Sequence, residues 1–517
     1  MQRIMQKTSK RRAPRSEYTS PSQLSLSGFE TPFYNQLAPD NRWVLLSAQV
    51  PWDDLVSLFN KHNPPKNTGR PALNPRVLIG AVIIKHILNL DDREAVAQIT
   101  ENMYLQYFIG YSSYTKEPPF DPSLFVNIRK QLGQDLINEM NERIHDFHME
   151  RELKKGKKST NDREDSPNTN GENQNKGEVI FDATACPQDI AYPTDLGLLN
   201  KAREITEELI DELHLKNRQG KKPRTYRRIA RKMYLKVAQN KKPSRKGIRR
   251  GIKHQLQYLR RNFRIIEEQL DGFNVFPLSH RMQRSYWIIQ TLYAQQLGMF
   301  ESHTHQVADR IVSIHQPHVR PIVRGKARSK TEFGSKIHLS MVDGFSFLDT
   351  VSWDAFSEGS HLSDYVENYR ERFGFYPAKV LADKAYCTRE NRKWLKGKDI
   401  KLAAKPLGRP SAKAVENHVR PGERNPIEGK FGQAKNAYGM NRIRARLKDT
   451  SQSWITSIIL VLNLVKLAGH ALLCLSFSAW ERLNYSIFES LERIIDTLTP
   501  RNQSGCKSKL VLRACRS

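Results

Sequence analysis

Cysteine is scarce in this chain: Cys186, Cys387, Cys474, Cys506 and Cys515 are scattered over 517 residues, with no Cys-x-x-Cys pair. That excludes a disulfide framework and a structural zinc site, and it suits a reducing, intracellular setting. Acid is also in short supply, with 54 Asp and Glu against 84 Lys and Arg and a formal charge of +30. An excess of that size implies an extended anionic partner, nucleic acid first, more readily than a small acidic substrate. The basic N-terminus (Lys7, Lys10, Arg11, Arg12, Arg15) lacks the apolar segment of a secretory signal and reads as a disordered arm. Long apolar runs are nearly missing: Trp454 to Phe477 comes closest to a membrane span, but Asn463, Lys466 and His470 interrupt it, which favours a buried helix. Gly325-Lys326 lacks the rest of a phosphate-binding loop, so no nucleotide cofactor is implied.

The length is that of two or three domains. Residues 1–40 form the arm, and 41–153 read as an all-α domain. Asn74-Pro75 opens an apolar run of helical spacing, Asp91-x-x-Glu94 opens another, and Asp121-Pro122 starts a third carrying Leu124, Phe125, Ile128 and Leu132. Short helices joined by polar turns suit either a helix-turn-helix, with Arg129 and Lys130 available to phosphates, or a plain bundle used for dimer contacts. Residues 154–177 are polar and without period, a linker. An α/β domain follows over 178–476, interrupted at about 196–320 by a helical insertion, and 477–517 form a C-terminal helix and basic tail.

Between Leu215 and Arg264 there are twenty Lys or Arg and no Asp or Glu, interleaved with Tyr226, Met233, Tyr234, Tyr258 and Phe263. A charge run is usually a solvated face. Twenty uncompensated cations repel one another unless a polyanion is near, so DNA contact is the better reading, with Arg227, Arg228, Arg231, Lys232, Arg249 and Arg250 as candidates. His303, His305, His315 and His318 cluster loosely in sequence but lack a familiar ligand spacing.

Two short apolar segments end in aspartate, Glu178-Val-Ile-Phe-Asp182 and Ala378-Lys-Val-Leu-Ala-Asp383. Between them, Lys336 to Val342, the turn Asp343-Gly344 and Phe345 to Trp353 read as a hairpin. Helices near 361–373 and 388–397 and a strand at Ile400 to Ala404 complete an order of strand, insertion, strand, strand, helix, strand, helix, strand, helix. That is the order of an RNase H-like fold with a mixed five-stranded sheet. In the last helix, Asn425-Pro426 reads as cap and first position, which puts Glu428 in the first turn. Asn425-x-x-Glu428 also matches a capping box, in which the glutamate only reaches back to the cap. Gly429, Gly432 and Gly439 each cost about 1 kcal/mol against alanine in a helix, which suggests that something needs close access to that backbone. Asp182, Asp383 and Glu428 can converge in this fold. Their carboxylates are hard oxygen donors suited to Mg²⁺ or Mn²⁺, and a pair of such ions serves phosphoryl transfer. Asp189, Asp195 and Asp343 are rivals, the first two in a Pro-containing loop and the third in the hairpin turn.

These residues resemble the DDE transposases of bacterial insertion sequences, in the group whose third motif reads Tyr, two residues, Arg, three residues, Glu, six residues, Lys. Arg424, Glu428 and Lys435 occupy the last three positions, and Pro421 stands in place of the tyrosine. Asp383 and Tyr386 match an Asp-x-Gly-Tyr motif with Ala385 for glycine, and Asp182-Ala-Thr matches the first motif. The resemblance implies a metal-dependent enzyme that binds the element's terminal inverted repeats, cleaves at its ends and joins the 3′-OH ends to target DNA. Asp182, Asp383 and Glu428 would bind two divalent ions, Mg²⁺ or Mn²⁺. Arg424 and Lys435 would hold phosphates, and Tyr386 would pack near the site or touch DNA. It further implies a homodimer on paired ends of double-stranded DNA, in the bacterial cytoplasm at the nucleoid. The alternatives are a catalytically inactive, transposase-derived DNA-binding regulator and a nuclease without strand transfer.

Overall fold

The computed structural model describes residues 37–64, 72–159, 175–217, 221–323, 331–403 and 422–469. The arm before residue 37, most of the linker, Gly325-Lys326, Pro421 and the tail from 470 lie outside the described residues.

Among the described residues seven α-helices come first: α1 (Arg42–Gln49), α2 (Trp52–His62), α3 (Pro75–Ile87), α4 (Asp92–Glu101), α5 (Met103–Phe108), α6 (Phe125–Gln131) and α7 (Gln134–Ser159). Their starts follow the local chemistry. Asn74 accepts from the Arg76 N–H ahead of Pro75, and Asp91 accepts from the N–H groups of Arg93 and Glu94. Asp121 caps a single 3₁₀ turn, Pro122–Leu124, that runs into α6. Helix α3 is buried on all sides from Pro75 to His86, so it forms the centre of this bundle and not a solvent-facing reading helix.

The second half is built on one mixed sheet. Strand β1 (Glu178–Pro187) is followed by four helices, α8 (Asp195–Asn217), α9 (Arg227–Ala238), α10 (Arg245–Leu270) and α11 (His280–Glu301). Then come β2 (Arg320–Val323), β3 (Thr331–Val342), β4 (Phe345–Ser352), α12 (Leu362–Phe373), β5 (Lys379–Leu381), α13 (Arg389–Gly397), β6 (Lys401–Ala403), α14 (Asn425–Asn436) and α15 (Lys448–Ala468). The sheet order is β2-β3-β1-β5-β6, with β4 also paired to β3. β1 runs antiparallel to β3 and parallel to β5, and β5 runs parallel to β6. The sheet therefore has six strands where five were expected. The additional one, Arg320–Val323, pairs with the first residues of β3, upstream of the hairpin, and at four residues is too short to show alternation. The hairpin turn forms as its residues dictate, with Asp343 at φ 51° and Gly344 at φ 81°.

Within the insertion, α8, α10 and α11 share an apolar core of Leu199, Ala202, Leu209, Leu256, Leu259, Ile266, Ile289 and Leu292. Helix α9 buries only Ala230 and lies on the outside.

The described residues up to Leu467 fall in one compact unit, and α7 runs on to Ser159. Polar contacts tie the opening helices to the sheet. Arg372 on α12 bonds Glu142 on α7 at 3.0 Å and the fully buried Asp349 on β4 at 2.9 Å. Asn463 on α15 donates to Asn141 on α7 and both donates to and accepts from the Ser346 backbone. Helix α15 is the one helix among the described residues long and apolar enough to cross a membrane, and it is buried from Ser453 to Val465. Of the described residues, Ala468 and Gly469 fall outside that unit.

Candidate active site

The register of the sheet brings two aspartates together. Ile180 of β1 pairs with Leu381 of β5, the last pair of that parallel ladder. Asp182 and Asp383 each lie two residues further on, where β5 turns away and leaves the flank of β1 open. Asp182 is not at a strand end, as its sequence suggested; β1 continues to Pro187 because the long β3 goes on pairing with it. Asp383 caps the 3₁₀ turn Lys384–Tyr386 by accepting from the Lys384 N–H.

Glu428 arrives on α14, which packs against β1 through Ile427, Phe431 and Ala434, the i, i+4, i+7 face. The N-cap is Arg424, without a side-chain cap bond, and Asn425 is already the first helical residue. The capping box therefore does not form, and Glu428 points instead toward Arg424. A Cβ at Gly429 or Gly432 would meet nothing within 4 Å, so that side of the helix has room, whereas Gly439 is accounted for by its φ of 73°.

Arg424 holds the three acids around one point. Its guanidinium lies 3.5 Å from Asp182 Oδ2, 3.1 Å from Asp383 Oδ1 and 3.8 Å from Glu428 Oε1. Asp182 is the sheltered member, 16% exposed, while Asp383 and Glu428 are 56% and 63% exposed. Burial pushes the Asp182 carboxyl above the usual range, the Ala183 N–H and Arg424 oppose that, and the charges of Glu358 and Asp383 add to it. Among the described residues, no three His, Cys, Asp or Glu side chains are close enough together to hold a metal, because the acids ring a guanidinium instead of closing on one another. The donor set nonetheless suits a divalent cation. It consists of carboxylate oxygens only, and a positive group already sits at its centre.

The remaining candidates divide. Lys435 is seven residues beyond Glu428 on the same helix, two turns along the same face. Tyr386 is wholly buried beneath the site, its ring 5.8 Å from that of His338, so it cannot touch DNA. Arg129, offered to phosphates by its sequence, is buried and grips both oxygens of Asp92 at 2.9 Å; Lys130 is exposed. Arg227 is bound by Asp211 through two hydrogen bonds, 2.7 and 3.0 Å, which weakens it as a DNA contact. Arg228, Arg231, Lys232 and Arg250 are exposed, and Arg249 lies over the Phe300 ring at 4.1 Å. The rival acids have structural tasks: Asp195 binds Arg310 and Gln296, and Asp189 binds Arg442.

A second set of cations was not legible as a cluster because its members come from separate elements. The charges of Lys201, Arg281 and Arg446 act on His315, and those of Arg284, Arg320 and Lys448 act on His318. Burial first, then these charges, lower the His318 pKa to about 4. The signal available was the run Asn441-Arg-Ile-Arg-Ala-Arg-Leu-Lys448.

Two family profiles match the chain: a transposase domain (DUF772) over residues 31–131 and a transposase DDE domain over residues 380–465. Both profiles describe transposases, and together they support a DDE-type transposase of an insertion sequence. The second match contains Asp383, Arg424, Glu428 and Lys435, while Asp182 precedes it and is placed beside them by the β1–β5 register. The chain is also similar to an uncharacterized protein, ORF8 in the nfe locus of Rhizobium meliloti, with 29% identity over 167 residues, 32% of this chain and 72% of that protein. No solved structure matches the chain.

Proposed function

We propose that the transposase binds the terminal inverted repeats of its element, cleaves at the element ends and joins the 3′-OH ends to target DNA, using an RNase H-like sheet to carry the acids. The observation that supports this most is the single cation, Arg424, in contact with all three carboxylates contributed by β1, the turn after β5 and α14. Asp182, Asp383 and Glu428 would hold two ions of Mg²⁺ or Mn²⁺, which when bound activate an attacking oxygen and stabilise a leaving one. The chain's own parts do the rest. Sheltered Asp182 fixes one corner of the site through its bond from the Ala183 N–H, and exposed Asp383 and Glu428 leave the opposite side open to a DNA strand. Arg424, once displaced from the acids, is within reach of a phosphate at the cleavage point, and Lys435 extends the positive track along α14. Three acids gathered around one cation favour an enzyme over an inactive DNA-binding regulator. Double-stranded DNA in the bacterial cytoplasm is the substrate, with two copies on paired ends.

The test uses purified protein and a labelled fragment carrying the DNA that flanks the gene. Mg²⁺-dependent breakage at one defined position, leaving a 3′-OH, is expected; breakage that is absent with every flank, or equal in chelator, would overturn the reading.

The exposed cations of the insertion carry a separate prediction. Replacing Arg228, Arg231, Lys232 and Arg250 by Gln should make the slope of log K against log salt shallower by up to about 3.6, at roughly 0.9 for each phosphate no longer neutralised. Arg227→Gln should change it little, because Asp211 already neutralises that side chain. A slope unaltered by the four changes would mean that this face does not meet DNA.

A further inference from the structure

A fourth carboxylate borders the site. Glu358 opens the 3₁₀ turn Glu358–His361 that leads into α12. That turn is locked onto the one that carries Asp383: Asn391 Nδ2 donates to the carbonyls of both Gly359, at 2.6 Å, and Tyr386, at 2.9 Å. The approach is so close that a Cβ at Gly359 would run into the Ala385 carbonyl oxygen. Among the charges acting on Asp182, that of Glu358 ranks next after Arg424 and ahead of Asp383.

Nothing in the cleavage scheme uses Glu358, and its counter-ion among the described residues is Lys336, whose Nζ lies 2.9 Å from Glu358 Oε1. Glu358 and Lys336 thus repeat on a smaller scale what Arg424 does for the three acids. A second observation points to a ligand. Tyr386 is completely buried and its hydroxyl has no hydrogen-bond partner among the described residues, although the charges that act on it most strongly are those of Glu358 and Asp182. A phenol buried without a partner is costly unless something there accepts its proton or binds its oxygen.

We propose that Glu358 is a fourth acidic residue of the divalent-cation site, serving the ion held by Asp182 directly or through a bound water, with the Tyr386 hydroxyl bonded to that assembly. The proposal rests on the reading of Asp182 as a metal ligand. Lys336 occupies Glu358 until the cation arrives and competes with it.

The experiment measures Mn²⁺ binding to the full chain without DNA, by calorimetry and by loss of the free-ion spin-resonance signal, in wild type and in Asp182→Asn, Glu358→Gln and Lys336→Met. Glu358→Gln is expected to weaken Mn²⁺ roughly tenfold or more, and Lys336→Met to tighten it several-fold by removing the competing ammonium. If Asp182→Asn abolishes binding while the other two leave it at the wild-type value, Glu358 is only the partner of Lys336 and the proposal is overturned. If Asp182→Asn binds Mn²⁺ as wild type does, the metal site itself is misplaced, and the proposal falls with it. Should Glu358→Gln fail to fold, the direction of the Lys336→Met change decides: tighter binding supports the proposal, and unchanged or weaker binding overturns it.

Discussion

Asp182→Asn, Asp383→Asn and Glu428→Gln should each lower Mg²⁺-dependent cleavage by roughly a thousandfold or more, about 4 kcal/mol of barrier, while affinity for the same DNA changes by less than about twofold. The asymmetry follows from where the charges lie. The reaction needs carboxylate oxygens at one point, and each amide keeps the shape of its acid but gives up half of its oxygen donors and its negative charge. On the proposed reading, affinity instead depends on the cations spread over α9 and α10 and on those acting on His315 and His318. Asp182→Asn should be the most severe of the three, because its sheltered position leaves little solvent to substitute for the missing oxygen. Loss of DNA binding in parallel with cleavage would show that the acids hold the fold together and not the chemistry. Full cleavage by any one variant would remove that residue from the site.

Asp92→Ala should destabilise the protein by about 3–5 kcal/mol, because it strands two buried cations. Lys85 and Arg129 are 1% and 6% exposed, and Asp92 Oδ1 lies 2.9 Å from both. Burial has already lowered the Lys85 pKa to about 8 even with Asp92 in place. Burial alone would raise the Asp92 pKa, but the bonds from Arg129 and Lys85 outweigh it and hold the carboxyl below its ordinary value. A depressed carboxyl stabilises the fold fully above its unfolded pKa and loses that contribution as pH falls through the folded value. The wild type should therefore lose its advantage over Asp92→Ala in acid, below about pH 4, and part of it again as pH rises through about 8, where Lys85 gives up its charge. The cluster rests on Trp454 of α15, which lies 4.4 Å from Lys85 Nζ and 5.6 Å from Arg129. The loss should therefore appear in one unfolding transition for the whole unit. Replacing all three charges together, Lys85→Met, Asp92→Leu and Arg129→Met, should recover most of it. A loss below about 1 kcal/mol, or separate unfolding of the opening helices, would contradict this picture of the N-terminal region.

Local chemistry was readable in the sequence wherever one residue decides one step of backbone: Asn74-Pro75, Asp91 and Asp343-Gly344 produce the starts and the turn expected of them. The gathering of Asp182, Asp383 and Glu428, 201 and 45 residues apart, was readable only through the order of strands and helices and the motif spacing. What could not be read depends on partners from distant segments. Arg129 and Tyr386 look like surface groups by type, and only the fold shows that Asp92 captures one and the sheet covers the other. Arg424 looked like a phosphate ligand, and only the geometry shows it as the counter-ion of three acids. Asp182 looked terminal because apolar character stops there, whereas the strand continues on the strength of its pairing with β3.

The most direct measurement supplies the transposase with a pre-cut element end bearing a free 3′-OH, Mg²⁺ and a supercoiled plasmid, then sequences any joined DNA. Covalent junctions between that 3′ end and plasmid phosphates, lost in Glu428→Gln and in chelator, are the expected result. Cleavage of ends that never yields such junctions under any divalent ion would contradict the assignment and leave a nuclease without strand transfer.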